Sequence, residues 1–333
     1  MTVKLLVVID ISPDARARLE SKGFEVLLAG ELGGRAAAVA QATDARAVLT
    51  NGSLGLRAEE IAALPKLEII CAIGAGYEMI DVAAAATGGI VVTTGRGTNA
   101  IAVADHAFTL LLAIAGTIVP SHEAVRKGGW SNFSSPQRDA ASPGVRSDFP
   151  YKRVGVTGRK LGIFGLGMIG REIAKRGASG FDMDVAYHNR KPVADTPYIY
   201  MASLGELAEW ADFLVVAAPG GPDTYHAVNA DILDRLGTDG FVVNIGRGTV
   251  LDTHALIDAL HEGRIAGAAL DVVEGEPEIP AELLAVPRLL LTPHMAGRTA
   301  DAISAMVDLA VSNLVAFFAG DNVLNRVGTE TVA

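Results

Sequence analysis

From its first residues the chain alternates short apolar runs with Ala-rich stretches of helical character. Residues 4–9, 47–50 and 67–72 are apolar runs of strand length, and the Ala-rich stretches around residues 14–21 and 59–64 lie between them. Short apolar runs bounded by polar residues predict buried strands, and their alternation with helices predicts βα units on a parallel sheet. A further strand ends near residues 90–93, after which Thr98 or Asn99 is placed to cap a long apolar helix over about residues 101–118. Periodicity then disappears: residues 127–153 are rich in Gly, Ser and Pro, include Trp130 and Phe133, and predict an ordered arm or loop. After Lys160 the rhythm restarts over residues 161–164, 183–187, 213–217, 241–245, 268–272 and 289–292, six strands that suffice for a complete nucleotide-binding sheet. The spacing of Ile303, Met306, Val307, Ala310, Leu314 and Phe317 predicts a closing helix over residues 299–319.

The length of 333 residues fits two domains. Half of the residues are hydrophobic and only 5% aromatic, which favours helices packed on a sheet and the α/β class. A formal charge of -10, with no basic cluster longer than Arg159-Lys160 or Arg190-Lys191, argues against a nucleic-acid partner. The apolar run at residues 5–9 ends at Asp10 and is too short for a signal-peptide core, and no other run is expected to reach membrane-spanning length without polar interruption. A cytoplasmic protein without a membrane partner is therefore expected. The single cysteine, Cys71, follows Ile69-Ile70 and reads as a small core residue.

The sequence Gly165-Leu166-Gly167-Met168-Ile169-Gly170 directly follows one predicted strand and opens a helix. In that setting the first glycine makes the tight turn, the second lets a pyrophosphate approach the backbone, and the third packs helix on strand, with the helix N-terminus facing the phosphate charge. The next strand ends at His188-Asn189-Arg190-Lys191, where an NAD enzyme usually places an acid for the ribose 2′-hydroxyl. Asp182 and Asp184 lie at the opposite end, Arg190 can offer its donors to a 2′-phosphate that no carboxylate there repels, and NADP(H) is expected over NAD(H); the alternative is a solvated Arg-Lys turn.

Two later strands also end in chemistry. In Ile245-Gly246-Arg247-Gly248 an arginine stands between glycines at the carboxyl edge of the sheet, where ligands bind; it reads either as an anchor for a carboxylate and its neighbouring carbonyl or as a surface turn. Asp271-Val272-Val273-Glu274-Gly275-Glu276-Pro277 and Thr292-Pro293-His294-Met295-Ala296-Gly297 end at the same edge. A histidine there can give a proton to a developing alkoxide while a carboxylate on its other nitrogen holds the tautomer. Glu276 is placed to pair with His294, and Glu274 is the alternative partner. His106, His122, His254 and His261 fall on predicted helices and read as structural.

The fingerprint, Gly-Arg-Gly, Asp-Val-x-x-x-Glu-Pro and Thr-Pro-His, in this order, resemble the D-isomer-specific 2-hydroxyacid dehydrogenase family over nearly the whole chain. The loop Ile73-Gly74-Ala75-Gly76-Tyr77 resembles the family's substrate loop, whose amides at Ala75 and Gly76 would bind a carboxylate, and Val103-Ala104-Asp105-His106 resembles the start of its dimer-arm helix. The resemblance implies two doubly wound parallel-sheet (Rossmann/flavodoxin-like) domains, with a cofactor domain over residues 99–294 inserted into a substrate domain made of 1–98 and 295–333. It implies that Arg247 binds substrate, His294 is the general acid, Glu276 orients it, and hydride passes from nicotinamide C4 to substrate C2. Asp271 would lie near the nicotinamide amide, and Ala218-Pro219, Ile245, Gly246, His294 and Gly297 would line the cofactor, with no metal required. The Tyr187-His188-Asn189-Arg190 turn and the Gly74-Ala75-Gly76-Tyr77 loop resemble the NADPH-dependent glyoxylate and hydroxypyruvate reductase branch. A catalytically weak NAD(P)H-sensing protein and a formate or phosphite dehydrogenase are the alternatives on the same fold. The apolar helix and the Trp130 arm predict a homodimer.

Overall fold

The computed structural model describes residues 2–129 and 153–328. It divides into two compact units, one made of Met1–Ala102 with Gly297–Ala333 and the other of Val103–Ala296. Both are doubly wound α/β domains, the second inserted into the first.

In the first unit, strands β1 (Val3–Val7), β2 (Phe24–Leu28), β3 (Ala47–Asn51), β4 (Ile69–Ile73) and β5 (Val91–Thr94) form a parallel sheet in the order β2-β1-β3-β4-β5. Side chains two apart share a face, so Leu5, Val7 and Leu49 pack beneath Ala15, Leu19, Val307 and Leu314, while Leu6, Val8 and Val48 pack beneath Val39 and Ile61. Both faces are covered, which is why the strands read as apolar runs without polar alternation. The helix Ala300–Ala319 starts where expected, its N-cap Thr299 accepting the amide of Ala302 at 3.2 Å. It is long and apolar enough to cross a membrane, contrary to expectation, but Met306, Val307, Ala310, Val311 and Leu314 are buried within this unit. Cys71 is 1% exposed, and burial pushes its thiol up to about 12, as an inert core residue requires.

In the second unit β6 (Lys160–Phe164), β7 (Asp184–His188), β8 (Ile199–Tyr200), β9 (Phe213–Val216), β10 (Phe241–Asn244), β11 (Gly267–Leu270) and β12 (Leu289–Leu291) form a parallel sheet ordered β12-β11-β10-β9-β6-β7-β8. This is the dinucleotide-binding order with one strand added, and the order reverses between β6 and β9. The seventh strand, β8, was not expected because two residues leave no apolar run to read. The long apolar helix is shorter than predicted: Ala100–Ala115 ends before Thr117, whose φ of 53° breaks it, and Ile118–Ala124 leaves in a direction turned by 55° once its continuation to Gly129 is included. Neither predicted cap forms, since the Thr98 hydroxyl donates to the Gly95 carbonyl and Asn99 Oδ1 is buried without a partner. Most of the predicted arm, Trp130 and Phe133 included, lies outside the described residues.

Candidate active site

The glycine fingerprint connects β6 to the helix Met168–Phe181. Gly165 has φ 103°, and a Cβ there would come within 2.7 Å of the Ala218 nitrogen, so the turn after β6, packed against the segment that follows β9, is closed to any side chain. A Cβ on Gly170 would come within 2.1 Å of the Gly165 carbonyl oxygen, whereas one on Gly167, the N-cap, would meet nothing within 4 Å. The helix thus opens without a side-chain cap onto unfilled space, the cradle a pyrophosphate needs. Leu166 is buried and donates its amide to Asn189 Oδ1 at 2.7 Å, Ile169 packs on the core, and Met168 is half exposed. Ala218 is buried beside the turn, and the Thr224 hydroxyl donates to the Pro219 carbonyl at 2.7 Å. These residues fit a dinucleotide.

Asn189 follows the last residue of β7, with Arg190 and Lys191 exposed beyond it. The sequence analysis missed a carboxylate here: Asp223, on the short turn Pro222–Thr224 after β9, approaches the Arg190 guanidinium to 3.3 Å. Both side chains are well exposed, so the pair is weak and screened.

Arg247 follows β10 and Ile245-Gly246. The fully buried Asn244 shapes this loop, its Nδ2 donating to the Arg247 carbonyl at 3.0 Å and its Oδ1 accepting the Gly246 amide at 3.1 Å. The Arg247 Nη1 donates to the Gly246 carbonyl at 2.8 Å.

His294 follows β12 at φ 48°, a left-handed conformation uncommon for a non-glycine residue. Its Nδ1 lies 2.5 Å from Glu276 Oε1, so of the two candidate partners Glu276 is the one it meets. Partial burial would raise the Glu276 carboxyl, but the hydrogen bond and charge of His294, helped by the Val273 amide and the charge of Arg247, outweigh it and hold the carboxyl below its ordinary value. An ionised acceptor at Nδ1 keeps a proton on that nitrogen. Protonating the ring then puts the transferable proton on Nε2, a geometry suited to general acid catalysis beside a guanidinium.

Asp271, only 2% exposed, organises the histidine turn. Its Oδ1 accepts the Thr292 hydroxyl at 2.6 Å and the Met295 amide at 2.9 Å, its Oδ2 accepts the Ala296 amide at 2.9 Å, and its carbonyl accepts the His294 amide at 2.8 Å. The Thr292 oxygen also lies 2.9 Å from His106 Nε2. With the hydroxyl proton directed at Asp271, His106 is the donor in that contact. His106 therefore supports the turn that carries His294, a link its position within a helix concealed. Ala75 and Gly76 follow β4 in the first unit, and Gly297 also falls in that unit. Among the described residues no group of three or more His, Cys, Asp or Glu side chains is arranged to hold a metal ion.

The fold and this edge define a dinucleotide-dependent oxidoreductase. Residues 108–296 match the family model described as D-isomer specific 2-hydroxyacid dehydrogenase, NAD binding domain. The chain is 38% identical over 287 residues to hydroxyphenylpyruvate reductase of Plectranthus scutellarioides, covering 86% of this chain and 87% of that one. It is 39% identical over 282 residues to 2-ketogluconate reductase of Gluconobacter oxydans, covering 85% and 86%. Among solved structures, the NADPH-dependent glyoxylate/hydroxypyruvate reductase of Sinorhizobium meliloti, in complex with NADP and malonate, superposes with a TM-score of 0.84 at 36% identity, covering 98% of this chain and 97% of that one. The chain belongs to the D-isomer-specific 2-hydroxyacid dehydrogenase family and is an NAD(P)-dependent oxidoreductase.

Proposed function

We propose that this enzyme reduces a small 2-oxo acid of the glyoxylate or hydroxypyruvate type to the D-2-hydroxy acid, with NADPH preferred over NADH. The observation that carries the reading is the 2.5 Å contact between His294 and Glu276 on the sheet edge that also bears Arg247. Arg247 takes the substrate carboxylate and polarises the neighbouring carbonyl. The reduced nicotinamide supplies the hydride to C2 when bound. His294 gives its Nε2 proton to the developing alkoxide and ends the step neutral, with Glu276 holding the ring throughout. The carboxylate-binding role of Ala75 and Gly76 and the nicotinamide contact of Asp271 rest on resemblance to the family.

NADPH preference is supported by Asn189 in place of an acid after β7, by exposed Arg190 and Lys191, and by the NADP-bound relative. Arg190→Ala should raise the Michaelis constant for NADPH far more than for NADH; equal changes would remove Arg190 from 2′-phosphate binding. A cytoplasmic homodimer completes the proposal, supported by Ile118, Val119 and Leu284 standing exposed. The deciding experiment is initial rates with NADPH and NADH on glyoxylate, hydroxypyruvate, pyruvate, hydroxyphenylpyruvate and 2-ketogluconate. Turnover favouring NADPH on one of the first two is expected, and absence of turnover despite tight NADPH binding would overturn the reading.

A further inference from the structure

A second histidine on the same sheet edge, His226, was not singled out by the sequence. It follows the turn Pro222–Thr224 beyond β9, at φ 48°. Its amide donates to the Thr249 carbonyl at 2.8 Å, and its Nε2 lies 2.8 Å from Glu274 Oε2. On the other side of the ring, Nδ1 is 3.8 Å from Asp252 Oδ2, and the Tyr225 ring stacks on the imidazole with centroids 3.9 Å apart. One residue thus ties together the loops that follow β9, β10 and β11.

Two of those loops bear the residues assigned to the chemistry. Arg247 is flanked by Gly248, which lies so close to the loop after β11 that a Cβ would come within 2.1 Å of the Val273 carbonyl carbon. Glu276 folds back on the same segment, its amide donating to the Val273 carbonyl at 3.3 Å. Glu274 stands between these two anchor points; His226 Nε2 is the nitrogen that meets its carboxylate, and the neighbouring Tyr225 hydroxyl also interacts with it. The fold has little need of that bond. The loop after β9 is already joined to its neighbour by the Val228 and Asp252 amides, each donating at 3.0 Å, and the His226 side chain is 29% exposed, so its removal opens no core cavity.

We propose that His226 is a positioning residue for the reduction: through Glu274 it fixes the segment 273–276 against the Arg247 loop and so sets where Glu276 presents His294 relative to the guanidinium. This rests on the roles given above to Arg247, Glu276 and His294. Small displacements of a reacting constellation are costly, so His226→Ala should lower kcat/KM for the 2-oxo acid about ten- to hundredfold. The KM for NADPH and the melting temperature should stay near wild type, because the fingerprint and the core do not use this bond. His226→Gln, which keeps an N–H donor, should recover most of the loss. Glu274→Ala should reproduce it, and the double variant should lose no more than either single one, as two ends of one interaction require.

The proposal is overturned if folded His226→Ala keeps wild-type kcat/KM, if its loss comes with an equal loss in NADPH binding and melting temperature without rescue by glutamine, or if the two losses add in the double variant. Should His226→Ala fail to fold, Glu274→Ala carries the test. Arg247→Ala assayed in parallel separates the two readings: activity lost there but kept in His226→Ala overturns this inference alone, and activity kept in Arg247→Ala overturns both.

Discussion

At the scale of single residues, the proposed chemistry depends on which nitrogen of His294 faces the carboxylate. With Nδ1 held by Glu276 at 2.5 Å, only Nε2 is left to reach a substrate oxygen. His294→Gln should cut kcat on a 2-oxo acid by about a hundredfold or more while leaving NADPH binding, read by fluorescence titration, near wild type. Near-normal turnover would remove the histidine from the proton step. The Glu276 shift also has a definite sign. Its folded-state carboxyl lies below the ordinary 4.5, so its pairing is fully present above that value and is lost as pH falls through the lowered one. Rate profiles of wild type and Glu276→Gln should therefore differ at every pH above 4.5, and convergence of the two profiles at neutral pH would show that the charge is not used. His294 and Glu276 were legible as candidates in the sequence because each lies in a loop that follows a strand of a parallel sheet at its carboxyl edge. The contact of Arg190 with Asp223 was not, because 33 residues separate partners that meet only once β9 is laid beside β6.

At the scale of elements, the turn after β12 illustrates how a strained residue is kept in place. His294 at positive φ is surrounded by hydrogen bonds to one buried acid, and that acid is also held by Thr292, which His106 reaches from the helix Ala100–Ala115. Thr292→Val keeps the shape but removes the hydroxyl from both partners, which should cost about 1–3 kcal/mol in a denaturant titration and lower kcat with it. A loss of stability without loss of turnover would separate this network from catalysis. His106 read as structural because the sequence places it on an apolar helix. The helix does lie against the sheet core, but this one side chain reaches the carboxyl edge. Helix ends were the least legible feature: Thr117 breaks the long apolar helix by adopting a left-handed conformation that no local pattern announces.

At the scale of the whole molecule, two parallel sheets buried on both faces account for a composition that is half hydrophobic with few aromatics, and the acidic surface accounts for the charge of -10. The exposed apolar side chains of Ile118 and Val119, at 55% and 42%, are adjacent in the chain and among the places where the second unit departs from that economy. If they are covered by a second copy, replacing both with aspartate should convert a dimer to a monomer in light scattering, while a monomeric wild type would defeat the proposal. The sequence by itself determined the class, the existence of both sheets and the fingerprint turn, and offered Arg247, His294 and either Glu276 or Glu274 as candidates, because strand period and glycine spacing are local properties written along the chain. Only the tertiary structure decided that Glu276 and not Glu274 meets His294, that Glu274 instead meets His226, and that His106 and Asp223 reach the site. Those pairings are set by strand order and loop path, which bring distant residues within hydrogen-bond reach and leave no periodic trace in the sequence.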